Sequence, residues 1–285
     1  MIAALLALTL FAGAADAAPR CYGAASRDPA KPCVNRSLER KVTPTPEEAA
    51  ITPNVACTPQ GELDGCSVGV PDGETVVILG DSHAAHWRAA MEVVAKAKRW
   101  HVLEFARPHC PFSFAEPARS EAGASDCGPY NQRVISYLAN NPGITKVFVS
   151  NNARLPMAVR GFAYRFDGDL RALNALPASV SSVYVLRDPP TDRATSHDCV
   201  ERAMRRRETF GRCAVPRRRA LVRDPTVEAA KRVARAHVID LSNFFCSSSK
   251  CFPVVGGVLT HKDQDHLTQD FARTLGPYVL RAVDG

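Results

Sequence analysis

Apolar runs of strand length alternate with segments of helical periodicity over most of the chain. Residues 75–79 (TVVIL) form a continuous, mostly β-branched run, which is typical of a strand buried on both faces of a sheet. Residues 83–100 place Trp87 and Met91 on one apolar stripe, which predicts a helix. A second strand is predicted at residues 101–105. The order indicates a strand, helix and strand unit.

The same alternation continues toward the C-terminus. Strands are predicted at residues 146–150, 182–186 and 238–241, and helices at residues 130–140, 170–176, 268–282 and within a basic stretch at 215–236. Strands that alternate with helices argue for a three-layer α/β domain with a mainly parallel sheet.

Composition divides the chain into three parts. Residues 1–18 are apolar and end in small residues, which predicts either a signal peptide or the end of a transmembrane helix. No Lys or Arg precedes Arg20, although secretory signals begin with positive charge. Residues 19–72 are rich in proline and lack periodicity, which predicts an irregular leader tied by disulfides. Residues 73–285 carry the α/β pattern and form the predicted main domain.

The cysteines indicate an oxidising compartment. The chain has ten, which is many for a cytosolic enzyme, and they fall in close neighbours along the sequence. The neighbours are Cys21 with Cys33, Cys57 with Cys66, Cys110 with Cys127, Cys199 with Cys213, and Cys246 with Cys251. An even count in local pairs predicts five short-loop disulfides, although spacing alone leaves their connectivity open. A zinc site is disfavoured because C-x-x-C does not occur.

The formal net charge is +7, and much of the excess lies in the arginine-rich residues 202–223. In an exported protein, a basic patch would suit anionic lipid head groups or acidic wall polymers, and nucleic acid is not an expected partner. A solvated, arginine-rich helical face explains the same residues, and this interpretation is favoured.

Candidate chemistry lies just after the predicted strands, because ligands of open α/β sheets gather outside the carboxyl ends of the strands. Gly80, Asp81, Ser82 and His83 stand where a buried strand runs into a helix N-terminus. Ser82 could be a nucleophile there, with backbone amides stabilising an oxyanion. Asp81 or Ser82 could equally be a helix N-cap without any chemical role.

Two other segments supply the groups that a serine nucleophile needs. His266 could take the serine proton, and Asp263 could fix the tautomer of that histidine. Asn151 and Asn152 follow the third predicted strand and could join Ser82 in an oxyanion hole. Each segment also has an ordinary explanation as a cap or a turn. Their coincidence at strand and helix ends of one parallel sheet favours serine-based acyl transfer.

Three further histidines lie near these segments. His83 follows Ser82 and could flank the site. His86 could be a second polar contact, but a surface position is the favoured interpretation. Nothing distinguishes His261 from a solvent-facing loop residue. No metal site and no other cofactor is predicted.

Two sequence blocks resemble a known family. VVILGDSHAAHW at residues 76–87 and DQDHLT at residues 263–268 resemble the first and last blocks of SGNH hydrolases, in a GDSH variant. More closely, residues 21–285 resemble the SGNH domain at the C-terminus of acyltransferase-3 type membrane proteins that O-acetylate cell-surface glycans. The cysteine-rich leader, GDSHA and D-x-x-HL-T are the shared features.

The resemblance implies a flavodoxin-like, three-layer α/β/α sandwich, with Ser82 as nucleophile, His266 as base and Asp263 as its orienting partner. Two blocks depart from the family pattern. Where the family has a glycine after the second strand, this chain reads ARPHCPFSF, and the G-x-N-D block reads SNNARL. Asn151 or Asn152 could replace the family asparagine, and no residue is assigned to the role of the glycine.

The resemblance favours transfer of an acyl group, with acetyl expected, to a cell-envelope carbohydrate through an acyl-serine. The implied partners are an acyl donor, a carbohydrate acceptor and a membrane-embedded acyltransferase module. A secreted carbohydrate acetyl esterase would use the same residues. A non-catalytic SGNH-fold domain that binds the envelope is the alternative from another class, and the intact Ser82, Asp263 and His266 argue against it. The expected location is extracytoplasmic, either secreted or on the outer face of the plasma membrane.

Overall fold

The structure is a computed structural model that describes residues 18–53, 55–118, 126–192 and 194–285. The predicted signal peptide or membrane-helix end therefore lies, apart from its last residue, outside the described residues. Within the described ranges, no helix has the length and apolar character needed to cross a bilayer.

Strands and helices alternate along the chain. The helices are α1 (Pro46–Ile51), α2 (Ser82–Ala85), α3 (Arg88–Lys98), α4 (Cys127–Asn140), α5 (Phe162–Ala175), α6 (Ser196–Arg205), α7 (Arg217–Ala220), α8 (Pro225–Ala230) and α9 (Gln269–Asp284). The strands are β1 (Thr58–Pro59), β2 (Cys66–Gly69), β3 (Glu74–Gly80), β4 (Trp100–Ala106), β5 (Lys146–Ser150), β6 (Ser182–Leu186), β7 (Val215–Pro216), β8 (Ala236–Ile239), β9 (Lys250–Cys251), β10 (Val254–Val255) and β11 (Val258–Leu259).

Seven strands of the described residues form one sheet in the order β1-β2-β4-β3-β5-β6-β8. The strands from β4 to β8 pair in parallel, whereas β1 and β2 pair antiparallel at one edge. The parallel part has the 2-1-3-4-5 order of flavodoxin-like folds, whose ligands bind where the strand order reverses. The predicted α/β/α sandwich with a mainly parallel sheet is therefore confirmed. The reversal lies between β3 and β5.

The central strand β3 fills the core on both faces of the sheet. Val76 and Ile78 pack with residues of α3 and α9, whereas Val77 and Leu79 pack with residues of α4, α5 and α8. These four side chains are at most 1% exposed. Because successive strand side chains point to opposite faces, a strand covered by helices on both sides needs an uninterrupted apolar run.

The single helix predicted at residues 83–100 is instead two helices, α2 and α3, joined through His86 and Trp87. The Trp87 amide donates to the Ala84 carbonyl at 3.2 Å, three residues back, which tightens the backbone at the junction. The buried Trp87 ring also donates through Nε1 to Ser150 Oγ at 3.1 Å. This contact ties the junction to the end of β5.

The prediction of a long basic helix within residues 215–236 is wrong. The strand β7 and the short helices α7 and α8 occupy this stretch. Pro225 is the first residue of α8, and the Asp224 carboxylate accepts hydrogen bonds from the amides of Thr226 and Val227. A proline cannot continue a helix because it lacks the N–H and clashes with the preceding turn, so a new helix begins there.

The arginines of residues 202–223 are spread over several short elements as a result. Three of them lie within ion-pair distance of acidic side chains: Arg205 with Glu201, Arg212 with Glu208, and Arg223 with Glu228. Exposed pairs of this kind contribute little to stability.

Five disulfides join all ten cysteines, so the predicted disulfide framework is confirmed. The pairs are Cys21–Cys33, Cys57–Cys66, Cys110–Cys127, Cys199–Cys213 and Cys246–Cys251. Cys66 begins β2, which pairs with β4, so part of the predicted leader at residues 19–72 belongs to the sheet. The boundary between leader and main domain stays a prediction.

Candidate active site

A tight turn at the end of β3 presents Ser82 at the carboxyl edge of the sheet. Gly80 has a φ of 144°, and a Cβ on this residue would lie 1.9 Å from the Ser150 carbonyl oxygen. Only glycine permits both this backbone conformation and this approach to the neighbouring strand. The chain can therefore leave β3 sharply and begin α2 at Ser82.

Asp81, and not Ser82, is the N-cap of α2. Its Oδ1 accepts from the His83 amide at 2.9 Å, and its Oδ2 accepts from the Asn152 amide at 2.9 Å. The carboxylate is 1% exposed, and burial raises the pKa of Asp81. Asp81 thus links the turn to the end of β5 and leaves the Ser82 hydroxyl available for other contacts.

His266 lies in the loop between β11 and α9. The ends of this loop are joined because the Thr268 amide donates to the Thr260 carbonyl at 3.0 Å. Within it, Asp263 Oδ1 accepts from the amides of Asp265 at 3.0 Å and His266 at 2.7 Å. An aspartate that binds amides two and three residues ahead fixes a turn, and this turn sets the position of the imidazole.

Ser82, His266 and Asp263 form one hydrogen-bonded chain. The His266 Nε2 atom is 2.8 Å from Ser82 Oγ, and Nδ1 is 2.9 Å from Asp263 Oδ2. An imidazole placed between a hydroxyl and a carboxylate can take the hydroxyl proton while the carboxylate stabilises the resulting cation. The structure brings together the three residues that the sequence predicted as a catalytic set.

Asp265 is a second carboxylate against the same imidazole, and sequence reasoning missed it. Its Oδ1 is 3.1 Å from His266 Nδ1. Burial lowers the pKa of His266, but the hydrogen bonds to Asp263 and Asp265 outweigh burial and raise that pKa to about 9. The hydrogen bond to His266 and the nearby His83 ring hold the pKa of Asp265 well below its ordinary value. The D-x-D-H spacing contained the signal, since both carboxylates lie within three residues of the histidine.

The two asparagines after β5 have different surroundings. Asn151 is 2% exposed, and its Nδ2 donates to the Phe112 carbonyl at 3.4 Å and to Thr226 Oγ1 at 3.2 Å. Both amide hydrogens of Asn151 therefore have acceptors inside the core. Asn152 is half-buried, and its Nδ2 donates to Asp265 Oδ2 at 3.3 Å. Asn152 is thus the one of the two whose side chain contacts the loop that carries His266.

The segment after β4 lies where the family pattern has a glycine. The Arg107 amide donates to the Gly80 carbonyl at 3.1 Å, and Pro108, which lines the space beside Ser82, has no N–H. Neither residue supplies a backbone donor to the serine. The absence of the family glycine is therefore accompanied by the absence of a backbone donor from Arg107 and Pro108.

His83 and His86 lie beside His266, with ring centroids 5.0 Å and 6.3 Å from its ring. Both are at most 2% exposed, so the surface position favoured for His86 is wrong. The loop that carries His266 covers this side of α2, which local periodicity could not reveal. Burial and the neighbouring charge on His83 lower the pKa of His86 well below its ordinary value.

His261 is also buried, at 2% exposure, so its predicted solvent-facing position is wrong. Its Nδ1 lies 2.8 Å from Thr260 Oγ1 and 3.5 Å from Asp192 Oδ2. The residue therefore anchors the start of the loop that carries His266.

A cavity of about 350 Å³ opens at Ser82 and His266. Arg88 and Glu104 form a bidentate ion pair on its wall, with distances of 2.6 Å and 2.9 Å. The apolar part of the wall consists of small residues: Ala85, Ala106 and Pro108. These small side chains keep the space next to the serine open.

Among the residues that the structure describes, one group could hold a metal ion: His83, Asp265 and His266, whose ligand atoms lie within 4.8 Å of one another. His266 in this group already binds Ser82 and Asp263. A metal ion here would compete with the hydrogen bonds of the Ser82 site.

Comparison with known proteins agrees with this fold. The model of the family described as "SGNH domain (fused to AT3 domains)" matches residues 52–281. A search of curated proteins found no match. Among solved structures, the chain is similar to the periplasmic domain of a lipopolysaccharide acetyltransferase from Salmonella ser. Paratyphi A. The TM-score is 0.61 at 14% identity, over 75% of this chain and 84% of that chain. Because the family match covers most of the sequence, the chain belongs to the family of SGNH domains that are fused to AT3 domains.

Proposed function

We propose that this domain transfers an acetyl group to a hydroxyl of a cell-envelope carbohydrate through an acyl-serine intermediate on Ser82. The observation that carries the proposal is the hydrogen-bonded chain from Ser82 Oγ through His266 to Asp263, with distances of 2.8 Å and 2.9 Å. The similar Salmonella domain belongs to a lipopolysaccharide acetyltransferase. That protein suggests acetyl as the acyl group and a surface glycan as the acceptor.

The first half of the reaction would acylate the serine. Ser82 Oγ attacks the acyl carbonyl carbon and its proton passes to His266 Nε2, while Asp263 stabilises the imidazolium. When the tetrahedral intermediate collapses, the bond from the acyl carbon to the donor breaks and His266 returns the proton to the leaving group. The products are the released donor and an ester on Ser82.

The second half would repeat these steps with the sugar. A carbohydrate hydroxyl gives its proton to His266 Nε2 and attacks the ester carbon, after which the Ser82 oxygen leaves and takes the proton back. Water in place of the sugar would give acetate instead. Transferase and esterase thus share the same catalytic residues and differ in which hydroxyl reaches the ester.

The oxyanion of each tetrahedral intermediate needs hydrogen-bond donors. We assign this role to the Ser82 backbone N–H and to the Asn152 side chain. The Asn151 amide is left out of the assignment because both of its hydrogens have acceptors in the core. The backbone of Arg107 and Pro108 is left out because it offers no donor to this space.

The family description and the cysteines support an extracytoplasmic partner. AT3 domains accompany SGNH domains of this family, so a membrane-embedded acyltransferase module is the proposed source of the acyl donor. Five disulfides form and persist in an oxidising compartment, which fits the outer side of a membrane.

The test measures p-nitrophenol release from p-nitrophenyl acetate by the wild type, Ser82→Ala and Ser181→Ala. Ser181 is an exposed serine just before β6, at the opposite end of the sheet from Ser82. We expect Ser82→Ala to lose at least about 10³-fold in kcat/KM and Ser181→Ala to match the wild type. Mass spectrometry should find an acetyl adduct on Ser82. Equal rates for all three proteins and no adduct would refute the acyl-serine proposal.

A second measurement separates transfer from hydrolysis. Addition of a soluble hexose oligosaccharide should speed p-nitrophenol release when deacylation limits the rate, and it should yield an O-acetylated sugar. Free acetate as the sole product with every acceptor tried would identify an esterase instead.

A further inference from the structure

A second carboxylate and imidazole pair lies buried behind the Ser82 site. Asp188 follows β6, is 6% exposed, and accepts from His83 Nδ1 at 2.5 Å. The other oxygen of Asp188 accepts from the Ala153 amide at 2.9 Å, and the Asp188 amide donates to Asp224 at 3.0 Å. Backbone contacts on both sides therefore fix the carboxylate that holds His83.

The other nitrogen of His83 is directed at Asp265. Nε2 lies 3.7 Å from Asp265 Oδ2, and it has no hydrogen-bond partner among the described residues. Burial lowers the pKa of His83, but the charge and hydrogen bond of Asp188, supported by Asp265 and Asp81, outweigh burial and raise that pKa well above its ordinary value. The raised pKa favours the protonated form of His83, which faces a carboxylate on each side.

Asp265 connects this buried pair to His266. One of its oxygens faces His83, and the other is 3.1 Å from His266 Nδ1. Asn152 Nδ2 donates to the oxygen that faces His83, which limits rotation of the carboxylate. A continuous path of side chains thus runs from Asp188 through His83 and Asp265 to His266.

We infer that Asp188, His83 and Asp265 form a positioning relay that holds His266 through a second carboxylate. The inference deepens the proposed function and rests on it, because it takes His266 as the base. None of the three relay residues contacts the acyl group in the proposed steps. They act through His266, so they are positioning residues.

The relay places two opposite charges next to the base. Asp265 raises the pKa of His266 through its hydrogen bond, whereas the His83 cation, with its ring 5.0 Å away, lowers it. The other charged or titratable groups around His266 are Asp263, His86, Lys262, Arg88 and Glu104, and those around His83 are Asp81, Asp188 and His86. Neutral substitutions at Asp265 and His83 should therefore shift the His266 titration in opposite directions.

The experiment records kcat/KM for p-nitrophenyl acetate from neutral to alkaline pH. In the wild type the rate should rise with a midpoint at pH about 9, because His266 accepts a proton only when it is neutral. Asp265→Asn should move the midpoint down by about 1 pH unit, and His83→Gln should move it up by about 1 unit. A purely structural role would lower the rate at every pH without moving the midpoint.

The same titration can be followed by the imidazole nitrogen resonances of His266 without any substrate. His237→Gln and Asp167→Asn, at exposed positions on β8 and α5, are matched controls and should leave the midpoint unchanged. If His83→Gln does not fold, the half-exposed Asp265→Asn still tests the downward shift.

The relay is refuted if the midpoint of both variants stays at the wild-type value or moves in the same direction. Its failure differs from failure of the proposed function. A Ser82 adduct together with unmoved His266 titrations would remove the relay and leave acyl transfer intact. Absence of the adduct would remove acyl transfer, while the resonance shifts would still report whether the relay acts on His266.

Discussion

Ser82 and His266 meet in one site, but the chain holds them by different means. Ser82 follows two buried residues: Gly80, which pairs with Ser150 of β5, and Asp81, which accepts from the Asn152 amide just after β5. His266 comes from a loop whose side chains are partly in solvent, with 27% exposure for His266 and 48% for Asp263. The nucleophile belongs to the sheet, whereas the base belongs to a local turn.

This difference separates stability from activity. A close-packed interior transmits any change at the turn before Ser82 into the sheet, so substitutions there should affect folding. The turn at Asp263 is held by hydrogen bonds within three residues, so substitutions there should affect chemistry and leave the core intact. Variants on the two sides of the site can test this division.

His266→Ala should give the largest effect and confine it to activity. Loss of the proposed base should lower kcat/KM for p-nitrophenyl acetate by about 10⁴-fold. The midpoint of thermal unfolding should change little, because the imidazole is partly exposed and the turn is closed by backbone amides and Asp263. His237→Ala, at an exposed position on β8, is the control. A large fall in thermal stability of His266→Ala would contradict the division.

Gly80→Ala should give the next largest effect, on folding as well as on activity. The new Cβ would meet the Ser150 carbonyl, and the backbone at Gly80 has a φ of 144°. We expect the free energy of unfolding, measured with urea, to fall by about 3 kcal/mol.

Two glycine controls separate the causes of that loss. Gly161 has a φ of 118° but nothing near its would-be Cβ, and Gly143 has neither a positive φ nor a close neighbour. Gly161→Ala should cost about 1 kcal/mol and Gly143→Ala almost nothing. A Gly80→Ala protein as stable as Gly143→Ala would show that the turn before Ser82 tolerates displacement.

The parts of the site that the sequence predicted are those encoded by neighbouring residues. The apolar run of β3 and the Gly80 and Ser82 that follow it report a buried strand and a sharp turn. Asp263 and His266 are three residues apart, so a single turn brings them together. The contact between these two segments could also be predicted, because both were expected to lie at the carboxyl edge of a parallel sheet.

The parts that the sequence did not predict depend on which distant segments meet. His83 and Asp188 are 105 positions apart. Their pairing requires β3 and β6 to lie in one sheet with the carboxyl ends of both strands at the same edge. Burial of His86 likewise depends on the loop that covers α2. Helical periodicity along one segment carries no information about either partner, because tertiary packing decides them.

Of the three site variants, Asp263→Asn should have the smallest effect. Asparagine keeps an oxygen that can accept from the amides of Asp265 and His266, so the turn should persist. The substitution removes the charge next to His266 Nδ1 and replaces the Oδ2 acceptor with an amide N–H donor, whereas Asp265 still faces that nitrogen at 3.1 Å. We expect a loss of about 10²-fold in kcat/KM, which is about 2.7 kcal/mol in the barrier.

The double variant Asp263→Asn with Asp265→Asn completes the test as a mutant cycle. If the two carboxylates share the stabilisation of one imidazolium, removal of both should cost more than the product of the single losses, because either one alone still supplies the charge. The loss should then approach that of His266→Ala. A double loss equal to the product of the two single losses would mean that the carboxylates act independently. An Asp263→Asn loss as large as that of His266→Ala would mean that Asp265 does not support the base.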